Sequence, residues 1–450
     1  MISIIIVVSW NNHHPSYCVQ FIRACASFSD KIFVICPEGA NPIERLGSST
    51  QIAAKTKVLY SACHYSKSGL RKFRSLIEDF RDLQRLVGSI IETEPTARVF
   101  IFHSDLNSLF WSIFHLPLLA LRIRGLFPWT FSGLLVAPDR TWPLERARSR
   151  LKRLFGEVDD CENQRRFLRI TSDRILTITG SILRQFYLWQ RNVALRRSRC
   201  DLIAIEDERY LDSLHTGTGK RTVFLPETTS VEVSDPPPEI VQNICSKKNG
   251  LTVVGLLGVI NRRKGIDLLV DVIRNCNTEG FLFVIAGQCG PGDIPAAQRD
   301  FLITGSANCR NVIFSPDPIC SEPEFNAITI ACDIIYCAYK GHLHSSNIIS
   351  KAAAFGKPLL VSDGALMAKR VRDYGLGCVL EKQTAEACLA ALREMSTPEY
   401  RQRFLRIGKL NQYMQDHSFD SLQRAIASLS LGKTENGEQA HEEIGADLLR

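Results

Sequence analysis

Short, almost uninterrupted apolar runs alternate with segments of helical period along nearly the whole chain, and the alternation starts afresh after residue 250. Apolar runs at 3–8, 31–36, 57–60, 98–102, 133–137, 202–205 and 222–225 read as strands, with clear helical periodicity at 70–91 and 182–195. Strands that are apolar on both faces belong to parallel sheets covered on each side by helices. Strand–helix alternation of this kind predicts a doubly wound, Rossmann-like α/β domain. Between 228 and 248 the period lapses, and the run Ser234-Asp-Pro-Pro-Pro-Glu239 marks a break. Beyond it, strands at 251–257, 282–286, 312–314, 334–337 and 358–362 alternate with helices at 266–275, 296–304, 322–331, 347–355 and 365–374, and later helices fall at 385–395, 399–415 and 420–430. The expected organisation is a first Rossmann-like domain over 1–227, a linker over 228–249, a second over 250–396, terminal helices over 397–432 and a flexible polar tail over 433–450. Two such domains would face each other across a cleft at the carboxyl ends of their strands, where open α/β sheets bind ligands.

The length of 450 residues, 45% hydrophobic and 23% charged, fits a soluble multidomain protein. The net charge of +8 is uneven: residues 1–230 hold 32 Lys/Arg against 22 Asp/Glu, and 15 of those cations, with only 6 acids, lie in 140–199. That excess points to an anionic partner such as a membrane surface or lipid phosphate, or to a solvated helical face. It lacks the interleaved aromatic residues of a nucleic-acid stacking surface, so no nucleic-acid partner is expected. The 15 cysteines form no CxxC pair and no metal-ligand spacing, and many sit in apolar runs, which reads as reduced thiols in a cytoplasmic chain. The longest apolar region, 109–121, is interrupted by His115 and Pro117 and falls short of the ~20 residues that span a bilayer. A peripheral association with membrane remains compatible with that reading.

The segment richest in chemistry is Gly258-Val-Ile-Asn-Arg-Arg-Lys-Gly265. It carries an apolar strand into a helix through a glycine, three consecutive cations and a second glycine. A helix start with cations beside it suits a diphosphate, and the same residues also make an ordinary strand-to-helix turn. Further along, Phe283-Val-Ile-Ala-Gly287 ends a second strand in a glycine. Ala331-Cys-Asp-Ile-Ile-Tyr-Cys-Ala-Tyr339 is a third, and His344-Ser-Ser-Asn347 leads into Ile348-Ile-Ser-Lys-Ala-Ala-Ala-Phe-Gly-Lys-Pro358 and the strand ending Ser362-Asp363-Gly364.

In order and spacing these segments resemble the nucleotide-sugar half of GT-B glycosyltransferases of the large group-1 family. The resemblance implies two Rossmann-like domains and transfer of a sugar from a nucleoside-diphosphate sugar to a glycan or lipid-linked acceptor. The nucleotide sugar would be a co-substrate, with no cofactor and no metal. It implies donor binding by Gly258, Arg262, Arg263, Lys264, Gly287, His344, Ser345, Ser346 and Asn347, with Lys264 also offsetting charge on the departing diphosphate. In the first domain His103-Ser-Asp105 follows a strand, at a place where similar enzymes present a histidine to the sugar or acceptor; His103 and Asp105 could relay a proton there, or Ser104 or Asp105 could cap a helix. His13 and His14 occupy the analogous place after the first strand. Two departures stand out. The family often has a pair of glutamates where this chain has Leu343 and Lys351, and an arginine where it has Val259; the chain resembles a branch with Ser345-Ser346 before the helix. Those serines could bind phosphate or cap the helix. The second reading is therefore a non-catalytic GT-B-fold binding or partner protein.

Overall fold

A computed structural model describes residues 1–7, 14–46, 49–61, 70–101, 131–135, 188–189, 191–193, 195–308, 311–364 and 366–430. The chain divides into two compact units, Met1–Leu225 with Gln423–Arg450, and Pro226–Leu422. His103, Asp105, His13, most of the basic stretch 140–199 and the tail 433–450 lie outside the described residues.

The first unit is built on a seven-stranded sheet. Its strands are β1 (Ile2–Ile6), β2 (Lys31–Pro37), β3 (Thr56–Ser61), β4 (Arg98–Ile101), β5 (Phe131–Leu135), β6 (Cys200–Ile205) and β7 (Arg221–Phe224). All pair in parallel in the order β3-β2-β1-β4-β5-β6-β7. Helix His14–Ala26 follows β1 and the long helix Leu70–Thr93 precedes β4.

The second unit repeats the plan with β8 (Thr252–Leu257), β9 (Phe281–Ala286), β10 (Val312–Ser315), β11 (Ile334–Cys337), β12 (Leu359–Ser362) and β13 (Gly377–Leu380), again all parallel, in the order β10-β9-β8-β11-β12-β13. Along β8, Val254 and Leu256 enter one buried cluster with Ile266, Leu269 and Phe283, whereas Val253 and Leu257 enter another with Leu282, Ile335 and Ile349. Successive side chains of a strand point to opposite faces, so a strand buried on both must be apolar throughout. That is why these runs are legible without alternation.

Three details differ from the sequence expectation. The stretch 228–249, expected as a linker, contains helix Glu239–Lys248, whose Ile244 is fully buried in the second unit with Ile240 and Val241 against it. Its apolar stripe is only three residues long, too short to register as a period. The terminal helices are not a separate layer: Pro398–Ile407 and Leu410–Asp416, broken at Gly408, bury Tyr400, Phe404 and Tyr413 in the core of the same unit. Strand β13, absent from the expected strands, has four residues and joins β12 at its Gly377, where any Cβ would lie 2.0 Å from the Leu359 carbonyl oxygen.

The segment leading into Glu239–Lys248 is fastened down. The Asn326 amide donates to the carbonyls of Ser230 (2.9 Å) and Glu232 (2.7 Å), and its oxygen accepts from Lys351 Nζ (3.0 Å). Replacing Asn326 with Ala removes all three of these hydrogen bonds, one of them to a buried lysine, so Asn326→Ala is expected to lower unfolding stability by ~2–4 kcal/mol in chemical denaturation. A loss below ~1 kcal/mol would show that the clasp carries no weight.

Candidate functional site

The order β9-β8-β11-β12 places the chain reversal of the second sheet between β8 and β11. Two loops leave the carboxyl ends of these neighbouring strands: 258–265 after β8 and 338–347 after β11. In open α/β sheets the crevice at this point is where ligands bind. The sequence puts the two loops about 80 residues apart; the topology makes them neighbours.

The first loop is held from beneath. The Gly258 amide donates to Ala286 O (2.9 Å) and the amide of fully buried Ile260 to Gln288 O (2.8 Å). Arg262–Lys264 then form one 3-10 turn closed by Gly265 at φ 73°. At Gly265 a Cβ would stand 2.1 Å from the Ala338 carbonyl oxygen, and Tyr336 Oη donates to the Gly265 carbonyl at 2.9 Å. The turn thus rests on the exit of β11, and only glycine permits so close an approach at that φ. Gly287 has the same character: at φ 129°, its Cβ would lie 2.2 Å from the Gly258 oxygen. Its place is the floor of the loop.

The three cations have three environments. The Arg262 side chain is exposed. Arg263 donates from Nη1 to His342 Nδ1 at 2.9 Å and lies 5.9 Å from the Tyr339 ring centroid. Lys264 turns inward, donating from Nζ to the Leu257 carbonyl at 2.6 Å with the Tyr339 ring 5.3 Å away. Burial, reinforced by the charge of Arg263, pulls the Lys264 ammonium down to about 8.

The second loop is bound to the first and to the interior. The Lys340 amide donates to the Arg263 carbonyl (2.8 Å), and Lys340 Nζ reaches Asp267 at 3.3 Å. A guanidinium only donates, so His342 Nδ1 accepts and its Nε2–H donates to the Ser345 carbonyl at 3.0 Å. Burial keeps this imidazole neutral, its pKa pushed down to about 4. His344 packs edge-on to His342, 6.2 Å between centroids, and Ser346 hydrogen-bonds the buried Tyr339. Asn347 precedes helix Ile348–Ala354 and accepts the Lys351 amide with its carbonyl. Two side-chain acceptors, Asn261 Oδ1 on the first loop and Asn347 Oδ1 on the second, are buried without a hydrogen-bond partner among the described residues.

Ser345, expected to face phosphate, has its hydroxyl directed inward. It accepts from Arg370 Nη1 at 2.7 Å and donates to Glu227 Oε2. Arg370 is 0% exposed and pairs with the 4% exposed Glu227 at 3.0 Å. Ser350 Oγ donates to the Glu227 carbonyl at 3.2 Å and lies 3.3 Å from Tyr413 Oη. Tyr413 stacks on His417 at 4.1 Å, and burial together with the Arg370 charge holds His417 down to about 3. The side chains at the positions of the absent glutamates are also placed: Leu343 is exposed, whereas Lys351 is buried and aimed at Asn326 and, at 3.9 Å, Glu322.

The structure therefore brings together Gly258, Arg262, Arg263, Lys264, Gly287, His344, Ser345, Ser346 and Asn347 around one end of the sheet. Sequence reasoning missed Glu227, His342 and Arg370. His342 stands two residues from one that the sequence singles out. Arg370 lies in Leu366–Tyr374, a helix with two other cations, where nothing local separates a buried arginine from a surface one.

No family model and no curated protein matches this chain. Solved structures do resemble it. A sucrose-phosphate synthase from Thermosynechococcus elongatus superposes with a TM-score of 0.60 at 13% identity, over 95% of this chain and 98% of that one. WaaG, a glycosyltransferase involved in lipopolysaccharide biosynthesis, gives 0.57 at 13%, over 96% and 100%. HepE of Anabaena, in complex with UDP and glucose, gives 0.57 at 12%, over 95% and 98%. With its two parallel sheets, the chain has the GT-B fold of these proteins.

Two outcomes follow from the buried polar groups. Glu227→Ala leaves Arg370 uncompensated and is expected to cost ~3–5 kcal/mol in denaturant unfolding, whereas the double variant Glu227→Ala/Arg370→Leu recovers most of that loss; equal losses would contradict the pairing. The second outcome concerns acid. Unfolded imidazoles titrate near 6.5, and the folded His342 and His417 stay neutral down to about 4 and about 3. The unfolded state takes up protons first, so the stability these groups contribute is complete above pH 6.5 and drains as pH falls toward 4. Between about pH 6.5 and about pH 4.5 the wild type should lose ~2 kcal/mol more than His417→Gln, measured by urea titration at each pH. Parallel losses in the two proteins would refute it.

Proposed function

We propose that this chain is a nucleotide-sugar-dependent glycosyltransferase that moves a sugar to a glycan or lipid-linked acceptor without a metal ion. The observation that carries the reading is the convergence of the Arg262-Arg263-Lys264 turn and the 338–347 loop on the switch point of the second sheet. A donor diphosphate bound there meets Arg262, Arg263 and Lys264, which offset the charge that grows on the diphosphate as the glycosidic bond breaks. Asn261 Oδ1 and Asn347 Oδ1 are acceptors suited to sugar or ribose hydroxyls. HepE, which shares the fold, was solved with UDP and glucose bound, and this makes UDP the first ligand to try. His103 and Asp105 are proposed as the proton relay toward the acceptor, and the basic stretch 140–199 as the side that meets an anionic acceptor or membrane surface. Among the described residues no helix is long and apolar enough to cross a membrane.

A panel of UDP, GDP and ADP in thermal-shift and calorimetric titrations tests the binding step. One of them, UDP first, should stabilise the protein, and Lys264→Ala should weaken that ligand by about tenfold to a hundredfold, the range for a lost charged hydrogen bond. Since Lys264 titrates near 8 without ligand and a diphosphate favours its charged form, affinity should fall as pH rises above about 8. Turnover of the matching nucleotide sugar, unaffected by EDTA and lost in Lys264→Ala, completes the case. If no nucleoside diphosphate stabilises the protein, the donor-site reading fails.

A further inference from the structure

A chain of contacts runs from the cationic turn to Arg370, a fully buried charge of the second unit. Arg263 Nη1 donates to His342 Nδ1 (2.9 Å), His342 Nε2 donates to the Ser345 carbonyl (3.0 Å), and the Ser345 hydroxyl sits between Arg370 Nη1 (2.7 Å) and Glu227 Oε2. Each link has one direction. The guanidinium must donate, so His342 carries its proton on Nε2. That proton needs a carbonyl, and the carbonyl belongs to a residue whose side chain is held by a fully buried ion pair. The anchor is itself secured from the far side by Ser350 on the Glu227 carbonyl. Arg263 is exposed and would otherwise sample many rotamers. Its only side-chain hydrogen bond among the described residues is to His342.

We propose that Glu227, Arg370, Ser345 and His342 are positioning residues that fix Arg263 for the donor diphosphate, with His342 as the coupling between the two loops. The proposal rests on the donor-site reading above for the identity of the ligand. It assigns a role to a carboxylate and a histidine that neither the motif series nor the charge pattern marks out. Through them the backbone that begins the second unit sets the geometry of a cation in its ligand loop. Orienting a charged side chain in advance spares the ligand that ordering cost.

The test has an arm without ligand and an arm with UDP, both on the full chain. Glu227→Ala strips the anchor of its charge and endangers the fold, so the variants are Ser345→Ala, His342→Ala and the conservative His342→Gln, whose amide can accept from Arg263 and donate to Ser345 O. In hydrogen exchange without ligand, the Lys340 amide, which donates to Arg263 O, should exchange about tenfold faster in Ser345→Ala and His342→Ala and near the wild-type rate in His342→Gln. Unchanged exchange in Ser345→Ala and His342→Ala overturns the relay whatever the ligand. In the second arm, His342→Ala should weaken UDP by about tenfold in the wild-type background and have no further effect on top of Arg263→Ala. Additive losses in that cycle would mean that His342 acts only on the fold, and overturn the positioning role. If the exchange results hold while wild-type protein binds no UDP, GDP or ADP, the relay stands and the donor-site reading is what fails.

Discussion

A guanidinium with no exposed surface is a demanding thing to build into a protein, and Arg370 dictates much of what surrounds it. Transferring such a group from water carries an idealised cost of order ~20 kcal/mol, offset only where opposite charge and hydrogen-bond acceptors are both at hand. Glu227 supplies the charge, and Ser345 an additional acceptor. These three residues come from the segment after β7, the loop after β11 and the helix after β12. The pair is a weak argument for net stability, since an apolar replacement of equal volume could do as well. It is an argument for geometry: the buried pair holds the Ser345 hydroxyl, and with it the loop at 342–346, against the interior.

The departures from the resembled family also have definite places in the fold. Lys351, at the position of an expected carboxylate, is not simply a reversed charge in the ligand site. Its ammonium is drawn to Asn326, and through it to the carbonyls at 230 and 232. Leu343, at the other carboxylate position, lies exposed on the second loop. The cationic turn is thus left with little acid near it. Asp267 is already engaged by Lys340, and Glu227 by Arg370. In the donor site proposed above, few carboxylates would be free to accept from sugar hydroxyls, and Asn261 and Asn347 are the buried neutral acceptors on the two loops.

The sheets are legible because burial on both faces writes an unbroken apolar run, as in β8 and β9, and the turn at 258–265 because two glycines and three cations are a local signal. Strand β13 is not, being four residues long and opening with glycine. Helix Glu239–Lys248 is hidden by a three-residue apolar stripe behind a proline run. The partners Glu227 and Arg370 lie 143 positions apart, and no local pattern encodes such a pair. Ser345 shows the limit from the other side: the motif marks the right residue, but whether its hydroxyl faces a ligand or the interior depends on a carboxylate that only the folded chain brings near.

The three consecutive cations, indistinguishable in the sequence, then take up different work. Arg262 stands in solvent, where a charge acts at long range. Arg263 is hydrogen-bonded to His342 and lies beside the Tyr339 ring. Lys264 is the one with something to give up: its ammonium is bonded to the carbonyl end of β8 and partly stripped of water, which is why it releases its proton so readily. A diphosphate that drew Lys264 off Leu257 would free that carbonyl and restore full charge to the lysine. In the proposed donor site, binding and protonation at this residue are linked only above about pH 8, where the unliganded lysine has lost its proton.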